Sequence, residues 1–206
     1  NKLIVEFIGA FFLVFTIGMT VIAPGAGAMA PVAIGLVLAV MVYAGGHVSG
    51  GHYNPSVTIA VFLRGKCAAA EVAPYVISQL LASAAACFAV LYLKPDAPIT
   101  PMEIVVVPSL IAEFLFTFAL CFVVLSTATA DANEGNSYFG AAIGLTVLCG
   151  AYSVGSISGG SFNPAVTLAL GITGLAQWAD LWVHLVAEIA GGVVAAVVFK
   201  SVVKPA

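Results

Sequence analysis

Six long stretches of almost entirely apolar residues constrain this chain more than any other feature of its sequence. They cover residues 3–23, 31–47, 71–93, 104–128, 138–155 and 177–199. A helix needs about 20 apolar residues to cross about 30 Å of hydrocarbon, and every stretch is close to that length. The pattern therefore predicts an all-α polytopic membrane protein, with six transmembrane helices embedded in a lipid bilayer.

The scarcity of charged residues excludes most other classes of protein. Asp, Glu, Lys and Arg make up 7% of the 206 residues, whereas an average domain contains about 25%. With a net charge of −3 and no basic run, the chain lacks the cationic surface of a nucleic-acid-binding protein. The four cysteines have no metal-ligand spacing, and no Ser–His or paired Asp arrangement lies within one site. We therefore expect no enzyme activity, no cofactor, no metal and no nucleic-acid partner.

The chain also contains an internal duplication. The segments Val48–Thr58 (VSGGHYNPSVT) and Ile157–Thr167 (ISGGSFNPAVT) are identical at seven of eleven positions. Residues 1–206 thus form a single domain built from two repeats, about 1–93 and 104–206. Because each repeat holds three spans, the second repeat must enter the membrane from the opposite face, which predicts an inverted repeat.

Basic residues are distributed unevenly between the two sides that this topology implies. With the amino terminus in the cytoplasm, only Lys94 lies outside, and five basic residues lie inside: Lys2, Arg64, Lys66, Lys200 and Lys204. An excess of Lys and Arg is typical of cytoplasmic loops. We therefore expect a multi-pass protein with both termini in the cytoplasm, and we assign it to the plasma membrane.

Each copy of the repeated segment predicts a short helix that reaches only the middle of the membrane. Asn54 and Asn163 are favoured N-cap residues, and the prolines that follow them suit the first helical position. The apolar stretch from Pro55 to Leu63 spans about 14 Å, which is half of the hydrocarbon thickness. We therefore predict two re-entrant half-helices that meet N-terminus to N-terminus at the bilayer centre.

The chemistry of such a meeting point selects for neutral solutes. Two positive helix ends and the Asn54 and Asn163 amides act as hydrogen-bond donors, so a neutral molecule with lone pairs can bind, whereas a cation is repelled. Non-helical backbone at this depth must be buried or line a wet cavity. It therefore predicts a ladder of pore-lining carbonyls at Gly50, Gly51, His52, Gly159, Gly160 and Ser161.

Paired Asn-Pro-Ala-like motifs in a six-span duplication resemble the aquaporin, or major intrinsic protein, family, and the match covers essentially the whole chain. The motif residues are Asn54, Pro55 and Ser56, and Asn163, Pro164 and Ala165. The resemblance implies a homotetramer with one pore per subunit. It also implies that Glu6 and Glu113 hydrogen-bond the backbone of the two re-entrant loops.

The selectivity filter is where the chain departs from that family. The four filter positions of the family correspond in this chain to Ile34, Ala151, Gly160 and Val166. At the position of Val166 the family typically has an arginine. Water-specific members of the family typically have Phe, His and a small residue at the other three filter positions. Glycerol-conducting members carry an Asp where this chain has Thr167. We therefore expect a filter that is wide and apolar.

A passive channel for water and small uncharged solutes accounts best for these features. The filter leaves open a channel mainly for larger neutral solutes, namely glycerol, urea, ammonia, hydrogen peroxide or metalloid acids. A secondary transporter would need protonatable or ion-coordinating groups beside the pore centre. Only Glu6, Glu113 and Glu188 are available, and we expect none of them to adjoin the Asn-Pro motifs.

The remaining polar residues have two interpretations each. His47 and His52 either shape the cytoplasmic vestibule or hold loop backbone in place, and we favour the second. We expect His184 to be a packed or lipid-edge residue and not a gate. Glu188 and Gln79 occupy equivalent positions of the two repeats, and their function stays open between a transport role and hydrogen bonding within the bundle.

Overall fold

The computed structural model describes residues 1–203, and every regular element in this range is a helix. Its α-helices are α1 (Lys2–Val21), α2 (Ala30–Ser49), α3 (Pro55–Arg64), α4 (Ala69–Leu93), α5 (Val106–Ala128), α6 (Phe139–Ser158), α7 (Pro164–Thr173) and α8 (Leu181–Val202). Six of them, all except α3 and α7, are long and apolar enough to cross a membrane. The predicted fold class is therefore confirmed. Lys204, one of the five basic residues predicted to be cytoplasmic, lies outside the described residues.

The two short helices begin at the prolines predicted to start them. α3 and α7 contain 10 residues each, so each is about 15 Å long and covers half of the hydrocarbon thickness. Both end at a glycine in the left-handed region, Gly65 with φ 83° and Gly174 with φ 78°. Glycine adopts this conformation without steric cost, which makes it the usual residue after a helix.

The short helices are held between long helices of both halves of the chain. α3 packs on α8, α4 and α5, and α7 packs on α4, α8 and α1. Each therefore contacts spans of its own half and of the other half. The long helices complete the bundle through the pairs α1–α2, α1–α4, α2–α6, α5–α6 and α5–α8. The division into two inverted repeats, about 1–93 and 104–206, stays a prediction.

Glycines allow a close helix crossing that joins the two halves. A Cβ atom on Gly35 of α2 would lie 2.6 Å from Leu148 Cβ and 2.7 Å from the Gly144 carbonyl oxygen of α6. No side chain fits in that space, so α2 and α6 approach through backbone contact, as small residues permit in membrane helices.

The four lysines of the described residues lie at the two ends of the bundle. At one end Lys2 pairs with Glu71 at 2.7 Å and Lys66 pairs with Asp131 at 3.6 Å, and Lys200 also lies there, with its Nζ 3.5 Å from the Leu63 carbonyl. We call this the basic end.

At the opposite end the Lys94 ammonium donates to three carbonyls that follow or end α1: Met19, Ile22 and Pro24. Large apolar side chains between the two ends, such as Phe88 and Leu81, face outward, as contact with lipid requires.

Candidate pore at the two half-helices

The two asparagines cap the half-helices as their position in the sequence predicts. Asn54 Oδ1 accepts hydrogen bonds from Ser56 N at 2.8 Å and from Val57 N at 3.4 Å. Asn163 Oδ1 accepts one from Ala165 N at 2.9 Å. A side-chain oxygen at this position satisfies amide N–H groups that have no partner within the helix.

The same two side chains connect the half-helices to each other. Asn54 Nδ2 donates to the Phe162 carbonyl at 2.9 Å, and Asn163 Nδ2 donates to the Tyr53 carbonyl at 3.0 Å. These reciprocal bonds place the N-termini of α3 and α7 against one another. An amide NH₂ group has two hydrogens, so each asparagine keeps one donor for a solute.

The loops that lead into the half-helices have unusual backbone geometry at equivalent positions. The φ angle is 50° at Tyr53 and 52° at Phe162, and both side chains are buried. Positive φ is rare for residues with a bulky side chain, and it persists only where the surroundings hold it. Two buried carboxylates next to these residues provide that support.

Glu6 and Glu113 bind the two loops through three matching donors each, and Glu6 has a fourth donor, Gln79. Glu6 accepts from Ser49 Oγ at 2.7 Å, His52 N at 2.9 Å, Tyr53 N at 2.7 Å and Gln79 Nε2 at 2.8 Å. Each of these donors lies on α2, its following loop or α4.

The second carboxylate repeats the arrangement. Glu113 accepts from Ser158 Oγ at 2.6 Å, Ser161 N at 3.0 Å and Phe162 N at 2.7 Å. Both carboxylates have no exposed surface. They therefore satisfy loop N–H groups that have no main-chain acceptor.

The expectation that no carboxylate adjoins the Asn-Pro motifs is wrong for Glu188. Its Oε1 accepts from Asn163 N at 3.0 Å and from Thr167 Oγ1 at 2.7 Å. The two halves differ here, because Gln79, at the equivalent position, donates its Nε2 to Glu6 Oε2 and to Thr58 Oγ1. The packing of α8 against α7 places Glu188 beside the start of α7. The spacing of these residues in the sequence does not reveal this contact.

Two further supporting residues were not singled out for this role by the sequence. Tyr75 donates its hydroxyl to the Ser49 carbonyl at 2.8 Å, and His184 Nε2 lies 2.7 Å from the Ser158 carbonyl. A carbonyl only accepts, so this histidine nitrogen carries the proton. Tyr75 and His184 occupy equivalent positions of the two repeats, so the duplication could have identified them, although their side chains differ. His184 is buried, in agreement with the packed role expected for it.

His52 and His47 take different positions. His52 Nδ1 lies 3.1 Å from Thr58 Oγ1, and its ring lies 5.1 Å from the Tyr75 ring, centroid to centroid. His52 is therefore fixed within the first loop. His47 is exposed and lines two cavities at the basic end.

A cavity of about 340 Å³ passes the tips of both half-helices. At about 30 Å³ for each water molecule, it has room for roughly ten. Asn54 and Asn163 line it, and so do the four residues assigned to the filter: Ile34, Ala151, Gly160 and Val166. The structure thus brings the predicted pore and filter residues to one cavity, whereas the prolines, Ser56 and Ala165 of the motifs do not line it.

The predicted carbonyl ladder is divided between cavities. The cavity at the half-helix tips is lined by His52, Gly159, Gly160 and Ser161. Cavities at the basic end are lined by Gly50 and, in one of them, also by His52, whereas Gly51 lines none of these cavities. Main-chain hydrogen bonds among residues 1–203 leave the carbonyl oxygens of all six residues unused as acceptors.

The wall of the central cavity is mostly aliphatic. The described residues that line it include no Asp, Glu, Lys or Arg, and its polar side chains are Tyr53, His52, Asn54, Ser161, Asn163 and Thr100. A cation here meets two positive helix ends and no carboxylate, while a neutral molecule finds both donors and acceptors.

Comparisons with known proteins agree with this geometry. The family model for major intrinsic proteins matches residues 1–199. Aquaporin NIP1-3 from Oryza sativa subsp. japonica is 37% identical over 210 residues, covering 95% of this chain and 71% of the relative. Nodulin-26 from Glycine max is 32% identical over 216 residues, covering 98% of this chain and 78% of the relative. In fold, the chain is similar to the aquaglyceroporin from Plasmodium falciparum solved by X-ray crystallography. The TM-score is 0.81 at 22% identity, covering 98% of this chain and 95% of that one.

Six spans, two half-helices and an uncharged cavity between their tips define an integral membrane channel. The chain belongs to the major intrinsic protein family, the aquaporins. Members of this family are passive channels, so the protein is a channel and not an enzyme.

The hydrogen bonds of the buried carboxylates predict opposite outcomes for two similar substitutions. Glu6→Gln replaces an acceptor oxygen with an NH₂ group that faces N–H and O–H donors, and it should destabilise the protein by about 1–3 kcal/mol. Glu188→Gln should be tolerated, because only Oε1 of Glu188 has partners and Oε2 has none. The new NH₂ group can take the Oε2 position, where it displaces no existing hydrogen bond.

Thermal unfolding in detergent, followed by size-exclusion chromatography, measures both variants against the parent protein. A lower midpoint for Glu6→Gln with an unchanged midpoint for Glu188→Gln is expected. Equal losses in the two variants would show that the unpaired Glu188 oxygen is as important as the four bonds to Glu6.

Proposed function

We propose that the protein is a passive channel for water and small uncharged solutes, with a wide apolar filter. The observation that carries this proposal is the central cavity, which has hydrogen-bonding groups at its middle and no charged side chain in its described wall. Net passage then follows the concentration gradient of each solute.

The side chains around the half of the cavity next to α7 determine how wide and how polar the filter is. Ile34, Ala151, Gly160 and Val166 are all small or aliphatic. An arginine at position 166 would narrow the passage, present fixed donors and add a positive barrier. Valine does none of these. The Asn54 and Asn163 amides are then the main polar filter that remains.

The permeant solutes follow from this width and chemistry. Water passes, and the aliphatic wall also admits urea, ammonia, hydrogen peroxide, glycerol or uncharged metalloid acids. Thr167, at the position of the acidic residue in glycerol-conducting relatives, binds Glu188 and does not line the cavity. The chain therefore lacks that feature of the glycerol channels.

Assembly and location are part of the same proposal. The resemblance to the family supports a homotetramer with one pore in each subunit. The grouping of Lys2, Lys66 and Lys200 at one end supports cytoplasmic termini, because positively charged ends face the cytoplasm. We assign the channel to the plasma membrane.

The alternative is a secondary transporter, and Glu188 is the residue that could favour it. Its carboxylate is 3.0 Å from Asn163 N, but it is fully buried and does not line the cavity. Solute flux in proteoliposomes separates the two functions. A channel shows flux proportional to the solute gradient, with no ion dependence, and no stimulation by solute on the opposite side. Saturation or counterflow would contradict the channel.

Val166→Arg tests the filter assignment. We expect the variant to lose urea permeability proportionally more than water permeability, because the guanidinium occupies space that a larger solute needs. Stopped-flow light scattering on liposomes with parent or variant protein at matched density measures both values. An unchanged ratio of urea to water permeability would mean that position 166 does not line the constriction.

A further inference from the structure

The aliphatic wall of the central cavity is built from pairs of equivalent residues. In five pairs of residues that the internal duplication relates, both residues line the cavity: Leu13 and Leu120, Ile17 and Val124, Ile34 and Ile143, Leu38 and Val147, Val57 and Val166. The two branched aliphatic filter residues, Ile34 and Val166, therefore each have a counterpart with an identical side chain in the other half of the chain.

The counterparts lie on opposite sides of the asparagine pair. Val57 and Val166 each follow their asparagine by three positions, one turn into α3 and α7. α3 ends at the basic end, where Leu63 meets Lys200. α7 leads to the other end, where Leu175 accepts a hydrogen bond from Met102 N at 2.9 Å in the segment after Lys94. Val57 thus faces the basic half of the cavity, and Val166 faces the opposite half.

The basic half of the cavity adjoins a second cavity at a neck, which we define as the two residues that line both cavities, His52 and Val124. A second cavity of about 290 Å³ opens at the basic end, among Lys2, Lys66 and Glu71. Among residues 1–203, only His52 and Val124 line both this cavity and the central one. His52 cannot turn aside freely, because its ring is bound to Thr58 and packs near Tyr75. At the neck, a solute that moves towards the basic end therefore passes the His52 ring, which is held in place, and the aliphatic side chain of Val124.

We propose that two aliphatic barriers in series limit permeation, one on each side of Asn54 and Asn163. Val166 and Ile34 form the first, and Val57, Ile143 and Val124 form the second. Val57 is then a specificity-determining residue equal in weight to Val166. This inference rests on the proposed function and goes beyond it, since a filter at one mouth needs no second barrier.

Barriers in series give a quantitative signature, because the resistances to permeation add. Where two barriers are equal, removing either one alone raises permeability by about two-fold at most. Removing both raises it by more than the product of the two single effects. A single barrier gives a different result, in which one substitution produces the whole increase.

The test uses Val57→Ala, Val166→Ala and the double variant, reconstituted as the full chain in liposomes at matched density. Urea and water permeability are measured by stopped-flow light scattering. Val197→Ala, which removes the same methyl groups from an outward-facing side chain of α8, is the matched control. We expect urea permeability to rise by no more than about two-fold in each single variant, to exceed the product in the double variant, and to stay unchanged in the control.

Several outcomes would overturn the inference. One is a single variant whose urea permeability equals that of the double variant. Another is a double variant whose increase in urea permeability only equals the product of the two single increases. Val57→Ile and Val166→Ile extend the test in the other direction, and each should lower urea permeability. No effect of Val57→Ile would also overturn it. Where urea flux is undetectable, the same comparison is made on water. Parent protein that conducts neither solute would instead contradict the proposed function.

Discussion

The reciprocal hydrogen bonds between the half-helix tips are the constraint on which the rest of the structure depends. Asn54 donates to the Phe162 carbonyl and Asn163 donates to the Tyr53 carbonyl, at 2.9 and 3.0 Å. Helix N-termini in the middle of a bilayer leave amide N–H groups without water, and each unsatisfied group is costly. The two ends solve this problem together, because each asparagine caps its own helix and binds the loop of the other.

This arrangement explains both the buried carboxylates and the pore. Two half-helices that meet tip to tip force the chain to turn sharply before each of them, at Tyr53 and Phe162 with positive φ. Glu6 and Glu113 satisfy the N–H groups that the turns expose, while the loop carbonyls remain free of main-chain donors. The cavity between the tips therefore has donors and acceptors but no charged side chain among the described residues that line it, and these properties select neutral solutes.

The sequence predicts the parts of this structure that depend on local pattern. The length of each span follows from the hydrophobicity of the sequence. The caps at Asn54 and Asn163 follow from the Asn-Pro pair, in which asparagine suits the N-cap and proline suits the first helical position. The bonds from Glu188 to Asn163 and the neck at His52 and Val124 could not be predicted in this way. They depend on how α8 and α5 rotate against the half-helices, and tertiary packing sets that rotation.

The electrical current carried by Asn163→Asp tests the central claim most directly. Aspartate keeps the cap on Ala165 N but places a negative charge where two positive helix ends converge. Asn163→Ser, which can also cap a helix and adds no charge, is the control. In planar bilayers, with water flux verified in liposomes, cation current should rise for Asn163→Asp and stay at the parent level for Asn163→Ser. Equal currents in all three proteins would contradict the claim that charge at the half-helix tips excludes cations.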